Sequence, residues 1–96
     1  MTRRTSHKFR LYIAGNAGNS LLAMKNLVAI CEAHLPGRFE IECVDVFREP
    51  KRALADLVVM TPTLIQLAPL PMRRIVGTLT DTSTVLSTLG LAAAAA

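Results

Sequence analysis

A chain of 96 residues with 51% apolar content has room for one domain around one core, and not for two. No apolar run reaches the roughly 18 residues of a membrane-spanning helix, because Lys25, Glu32, Asp45 and Asp56 interrupt, so such a span is excluded. A net charge of +4 favours acidic partners, while three Phe, one Tyr and no Trp leave few stacking surfaces for a nucleic-acid module.

Residues 1–7 form a basic N-terminal tail that lacks the apolar stretch of a secretion signal, so a cytoplasmic protein is expected. From Lys8, Phe9, Leu11 and Ile13 alternate with Lys8, Arg10 and Tyr12, the period of a strand. Gly15-Asn16-Ala17-Gly18-Asn19-Ser20 then makes a tight turn, with Asn19 or Ser20 able to cap a helix. A glycine-rich strand-to-helix turn can cradle a phosphate, but this one matches neither the P-loop nor the dinucleotide fingerprint and reads as a plain turn. Leu21, Met24, Val28, Cys31 and Leu35 recur at steps of three and four, which predicts an amphipathic helix ended by Pro36-Gly37. Phe39, Ile41 and Cys43 alternate with Glu40 and Glu42, and Val44-Asp45-Val46 continues the strand on the opposite phase. A strand that becomes two-sided is expected to enter the middle of a sheet. The first half is therefore a βαβ unit. Cys31 and Cys43 both fall in apolar patterns and read as small core residues. The chain holds no C-x-x-C, and His7 and His34 have no partner at metal-ligand spacing, so neither a redox pair nor a metal site is expected.

The second half resists assignment. Glu49-Pro50 suits a helix start, with helix formers from Lys51 to Leu57. Val58-Val59-Met60 reads as strand or as the last turn of that helix. Thr63 to Leu67 has strand length, yet Leu64, Leu67 and Ala68 also fall at helical spacing. Pro62, between two threonines, stands where thioredoxin-like folds place a cis proline; the trans form opening a strand or helix is the alternative. Arg73-Arg74-Ile75-Val76 suits a strand after the Pro69-Leu70-Pro71 turn. Thr80 or Asp81 is placed to cap a last helix carrying Val85, Leu86 and Leu89 and ended by Gly90. The same stretch holds Thr82, Thr84, Val85 and Thr88, which are weak helix formers and good strand formers. Every element after Pro50 can be drawn two ways.

L-Y-I-A-G-N-A-G-N-S, V-D-V-F-R-E-P, M-T-P-T-L and P-L-P-M-R-R-I-V-G follow one another in an order and spacing that resembles the KaiB family of circadian clock proteins. The resemblance covers about Lys8 to Leu89. It implies a non-enzymatic regulator without cofactor that binds the hexameric ATPase KaiC, modulates its phosphorylation state, sequesters KaiA and competes with the sensor domain of the kinase SasA. It also implies two packings of one α/β domain: a usually tetrameric ground state of order βαββααβ, and a rarer thioredoxin-like monomer of order βαβαββα. The isolated chain is thus expected as a homo-oligomer, tetramer or dimer, in the ground-state order, its domain at 8–91 between the basic tail and an alanine tail at 92–96. Neither nucleic acid nor membrane is an expected partner.

The residues that the resemblance points to as fold-switch positions are Tyr12, Pro62, Pro69, Pro71, Gly77 and Thr78, with Gly77 a hinge whose replacement by Ala is expected to favour the thioredoxin-like form. Arg10, Lys25, Arg73 and Arg74 are the partner-binding candidates. Arg73 and Arg74 leave opposite faces of a strand, so one of them is expected at an exposed surface, where it either solubilises the sheet edge or meets acidic groups on a partner or neighbouring subunit. The chain departs from the family pattern at Leu70 between the prolines, at Thr78 where an acid is common, at Leu22 and Leu57 where basic residues serve partners, and at Glu42, a reversed charge. Two other readings stand beside this one. A thiol-disulfide enzyme lacks its nucleophile, since Asn16, Ala17, Gly18 and Asn19 occupy the turn before the first helix. A stand-alone SasA-like sensor or adaptor domain needs no clock role.

Overall fold

The computed structural model describes residues 6–91. The alanine tail and most of the basic tail lie outside the described residues. Strand β1 (His7–Ile13) is followed by helix α1 (Gly18–His34), β2 (Phe39–Asp45), α2 (Pro50–Ala55), β3 (Thr63–Ala68), β4 (Arg73–Val76) and α3 (Thr82–Thr88). The four strands form one sheet in the order β2-β1-β3-β4, with β1 and β2 parallel and the other pairs antiparallel.

The order is βαβαββα, the thioredoxin-like packing, and not the βαββααβ expected for the isolated chain. The reason lies in the last segment. Asp81 caps α3, its carboxylate accepting from Thr84 N (3.2 Å) and Thr84 Oγ1 (2.9 Å). Val85 and Leu89, four residues apart, bury their side chains in the core, and Gly90 at φ 75° ends the helix. Cap, burial and stop together override the weak intrinsic propensity of four β-branched residues. Val58-Val59-Met60 belongs to neither a strand nor a helix, and Thr63–Ala68 is the strand between β1 and β4, its first four residues buried.

Both faces of the sheet are covered, by different helices. Phe9, Leu11 and Leu64 pack with Ala23, Leu27, Ile30 and Cys31 of α1 and with Val85 and Leu89 of α3. Tyr12, Val44 and Ile65 point the other way, against Ala53 of α2. Burial of this apolar surface is the main stabilising term. The α1 helix is as expected, but its inner face is Ala23, Leu27, Ile30 and Cys31, while Leu21 and Leu22 are exposed. Its N-cap is Ala17, without a side-chain cap; Ser20 instead accepts from Ala14 N at 3.0 Å, tying the turn to the strand before it. Strand β2 sits at a sheet edge and not in its middle. Its Cys43 is accordingly exposed, whereas Cys31 is buried as expected.

Candidate functional site

Strand β1 ends beside β2, and the loops that leave them define one end of the sheet. Asp45 joins the two loops: its Oδ1 accepts from Gly15 N (3.2 Å) and from Phe47 N (2.9 Å). Gly15 adopts φ 54°, and a side chain there would meet the Phe47 ring at 3.6 Å, so the ring sits beside the bare glycine backbone. Because β3 runs antiparallel to β1, its start reaches the same end, Thr63 opposite Tyr12. So does the end of β4, where Gly77 N donates to Pro62 O at 2.9 Å.

The third loop, from α2 to β3, completes this end. Helix α2 stops at Asp56, Leu57 turns to φ 56°, and Val58 N donates back to Ala53 O at 2.9 Å. Thr63 Oγ1 donates to Met60 O at 2.5 Å. The loop is therefore fixed by hydrogen bonds, and it holds apolar side chains out. Phe47 is 75% exposed, Val59 89% and Met60 61%. With Ala14, Val46 and Val58 these side chains line a groove of about 210 Å³. We call this arrangement the apolar collar. Arg48 and Lys51 follow Phe47 on the way into α2; both are exposed, and neither makes an ion pair among the described residues. Exposed apolar side chains thus gather at one end of the sheet, with two exposed basic residues beside them.

The residues singled out in the sequence divide between the two ends and the two faces. Pro62, Gly77 and Thr78 stand at the collar end, Pro69 and Pro71 in the turn at the far end. Thr61–Pro62, Ala68–Pro69 and Leu70–Pro71 are cis, which settles the alternative left open for Pro62. Thr78 O accepts from Asn26 Nδ2 at 2.9 Å, linking the loop before α3 to α1. Lys25 is exposed on α1.

Tyr12 and Arg10 belong to a polar network between the sheet and α2. The fully buried Tyr12 donates its hydroxyl proton to Asp56 Oδ2 and lies 3.1 Å from Arg52 O. Arg10 bridges Asp56 (3.0 Å) and Glu42 (2.8 Å), and Arg52 reaches the other oxygen of Glu42 at 2.7 Å. The Tyr12 hydroxyl, with Arg10 beside it, holds the Asp56 carboxyl below its ordinary range. Burial, with the neighbouring Asp56, pushes the Tyr12 phenol up. The two guanidiniums lower the Glu42 carboxyl. The reversed charge at Glu42 is thus paired within the chain.

Arg73 and Arg74 are likewise committed internally, Arg73 to Thr88 O (2.5 Å) and Arg74 to Asp56 O (2.5 Å). The four basic candidates do not converge on one surface, and three of them are engaged inside the fold. What the sequence reading missed is the collar. Its one signal was the run Val58-Val59-Met60, apolar without alternation. Among the described residues no His, Cys, Asp or Glu cluster has the geometry of a metal site, and no helix is long and apolar enough to cross a membrane.

Residues 10–91 match the KaiB domain family. The chain is 41% identical over 91 residues to the circadian clock oscillator protein KaiB of Synechococcus elongatus, across 95% of this chain and 89% of that protein. Among solved structures it resembles the N-terminal domain of Synechococcus elongatus SasA (TM-score 0.67, 20% identity, 94% and 89% coverage). It also resembles mitochondrial thioredoxin 3 from Saccharomyces cerevisiae (TM-score 0.71, 17% identity, 92% and 81% coverage). The two structural likenesses show a shared thioredoxin-like fold; the sequence match over nearly the whole length shows more, and the chain belongs to the KaiB family.

Proposed function

We propose that the chain is a regulatory protein of a KaiABC-type clock or clock-like system, acting by contact and not by catalysis. It binds a KaiC-type ATPase and modulates the phosphorylation state of that ATPase. The relatives at about 40% identity are named circadian clock oscillator proteins, and the SasA domain that shares the fold supports a partner surface common to both. The observation that carries the reading is the apolar collar. Phe47, Val59 and Met60 stay exposed although the loops that hold them are hydrogen-bonded in place. An exposed apolar surface held in place before binding lowers the ordering cost of association.

The test is titration of a purified KaiC-type ATPase with wild-type protein and with Phe47→Ser and Met60→Glu, followed by its phosphorylation time course. The expected result is saturable binding by wild type, weakened about tenfold or more in each variant, as is usual for central apolar anchors. Binding by wild type with unchanged affinity in both folded variants moves the site off the collar. Absence of binding at any phosphorylation state favours the second reading, an adaptor domain without a clock role, for which the loss of basic residues at Leu22 and Leu57 speaks. KaiA or a SasA-type kinase then replaces the ATPase in the same assay.

A further inference from the structure

Arg73 and Arg74 are consecutive on β4, so their side chains leave opposite faces of the sheet. Each reaches the C-terminus of a different helix. On one face Arg73 Nη1 donates to Thr88 O of α3 at 2.5 Å. On the other, Arg74 Nη2 donates to Asp56 O at 2.5 Å and Nη1 to Leu57 O at 3.4 Å, both just past α2. The two helices also stop in the same way. Val58 N bonds back to Ala53 O (2.9 Å) across Leu57 at φ 56°, and Leu91 N to Leu86 O (2.8 Å) across Gly90 at φ 75°. The carbonyls left free at each helix end are what the guanidiniums take, where a cation also suits the helix dipole.

Strand β4 has four residues and, among the described residues, pairs only with β3. Half of its side chains are these two clamps. We propose that β4 acts as one bolt for both helix ends, so that the last turns of α2 and α3 are held or released together through the register of β4 on β3. Peeling of the strand withdraws both guanidiniums at once, and a slip of one residue turns each to the wrong face. The bolt also reaches the collar, because Arg74 holds the Asp56 and Leu57 carbonyls immediately before Val58-Val59-Met60. On the docking reading above, a ligand that disturbs the end of α3 is then felt at the collar on the far side of the sheet.

The experiment is residue-resolved amide hydrogen exchange on the full chain, as wild type, Arg73→Gln and Arg74→Gln. Loss of one charge-assisted hydrogen bond is expected to speed exchange by about tenfold, and in each variant at both helix ends, Asp56 to Val58 and Leu89 to Leu91. Leu11 and Tyr12 of β1 keep their protection. Faster exchange only at α3 in Arg73→Gln and only at α2 in Arg74→Gln overturns the proposal. An equal rise at Leu11 and Tyr12 overturns it too, since that is loosening of the whole domain. Arg74 is the more exposed of the two, so Arg74→Gln supplies the test if Arg73→Gln does not fold. Exchange is read without a partner, so the outcome is independent of any failure to bind an ATPase.

Discussion

Tyr12, fully buried on the central strand β1, donates its hydroxyl proton to Asp56 at the end of α2. This bond fixes a short helix to the sheet, and its acceptor is a carboxylate held below the ordinary value of 3.8. The sign of the pH effect follows. A lowered native pKa contributes stability that is present above the unfolded value, near pH 4, and is lost as pH falls through the native one. Asp56→Asn is expected to cost about 1.5–3 kcal/mol at pH 7, the range for a hydrogen bond to a charged group. Urea unfolding at pH 7 and pH 3 checks it: the gap between wild type and variant narrows at pH 3. A gap of the same size at both pH values rejects the assignment.

The two cysteines differ in environment and are expected to differ in reactivity. Burial in the α1 core pushes the Cys31 thiol up to about 11. Cys43, on the exposed edge of β2, is raised by desolvation and by Asp45, yet solvent reaches it. At pH 8 iodoacetamide should modify Cys43 in the native protein and Cys31 only on unfolding. Peptide mapping after brief labelling distinguishes them, and equal native labelling contradicts the burial. With Asn16 to Asn19 at the N-terminus of α1, no cysteine stands there and neither thiol is placed for disulfide exchange. Insulin reduction with dithiothreitol should match a cysteine-free control.

The first half of the fold was legible in the sequence because periodicity and breakers agree there. Strand alternation stops at Gly15, and Pro36-Gly37 stops the helix. The phase of α1 was misread by including Leu21, which an apolar letter puts inside and the structure puts outside. The same rule hid the collar, since nothing in the letters of Phe47, Val59 and Met60 marks them as exposed. After Pro50, local signals conflict: the threonines of 82–88 favour a strand, while Asp81, Val85, Leu89 and Gly90 favour a helix. That Arg73 and Arg74 face opposite ways was readable. Their acceptors were not, because a free carbonyl at a helix end is a feature of backbone geometry and any residue can supply it.

Asp81 carries much of the decision in favour of α3. Its carboxylate takes both the backbone N–H and the hydroxyl of Thr84, and that backbone bond chiefly lowers its pKa. Asp81→Ala removes the cap and should lower the thermal stability of the domain. Asp81→Asn retains an acceptor and should recover most of it. Thermal unfolding measures both variants, and backbone chemical shifts of 82–88 show whether the helix frays. Full helicity and stability in Asp81→Ala place the decision with Val85 and Leu89 instead.

Gly77 tests the relation between the two packings most directly. From sequence, its replacement by Ala is expected to favour the thioredoxin-like order. The geometry reverses that direction. Gly77 sits at φ 121° between β4 and the loop before α3, where its N–H donates to Pro62 O. A methyl group added at this position would meet no atom within 4 Å, so sterics with neighbours are not the obstacle. The backbone angle is, because residues other than glycine rarely occupy it, at a cost of about 1–3 kcal/mol. Gly77→Ala should therefore destabilise the βαβαββα order by that amount. If a βαββααβ packing lies within reach, the variant should populate it more than wild type does, with the helical shifts of 82–88 giving way to strand shifts. Two-dimensional NMR with size exclusion separates the outcomes. A variant that stays thioredoxin-like and as stable as wild type shows that the strain at φ 121° is relieved locally, and takes Gly77 out of the set of switch residues.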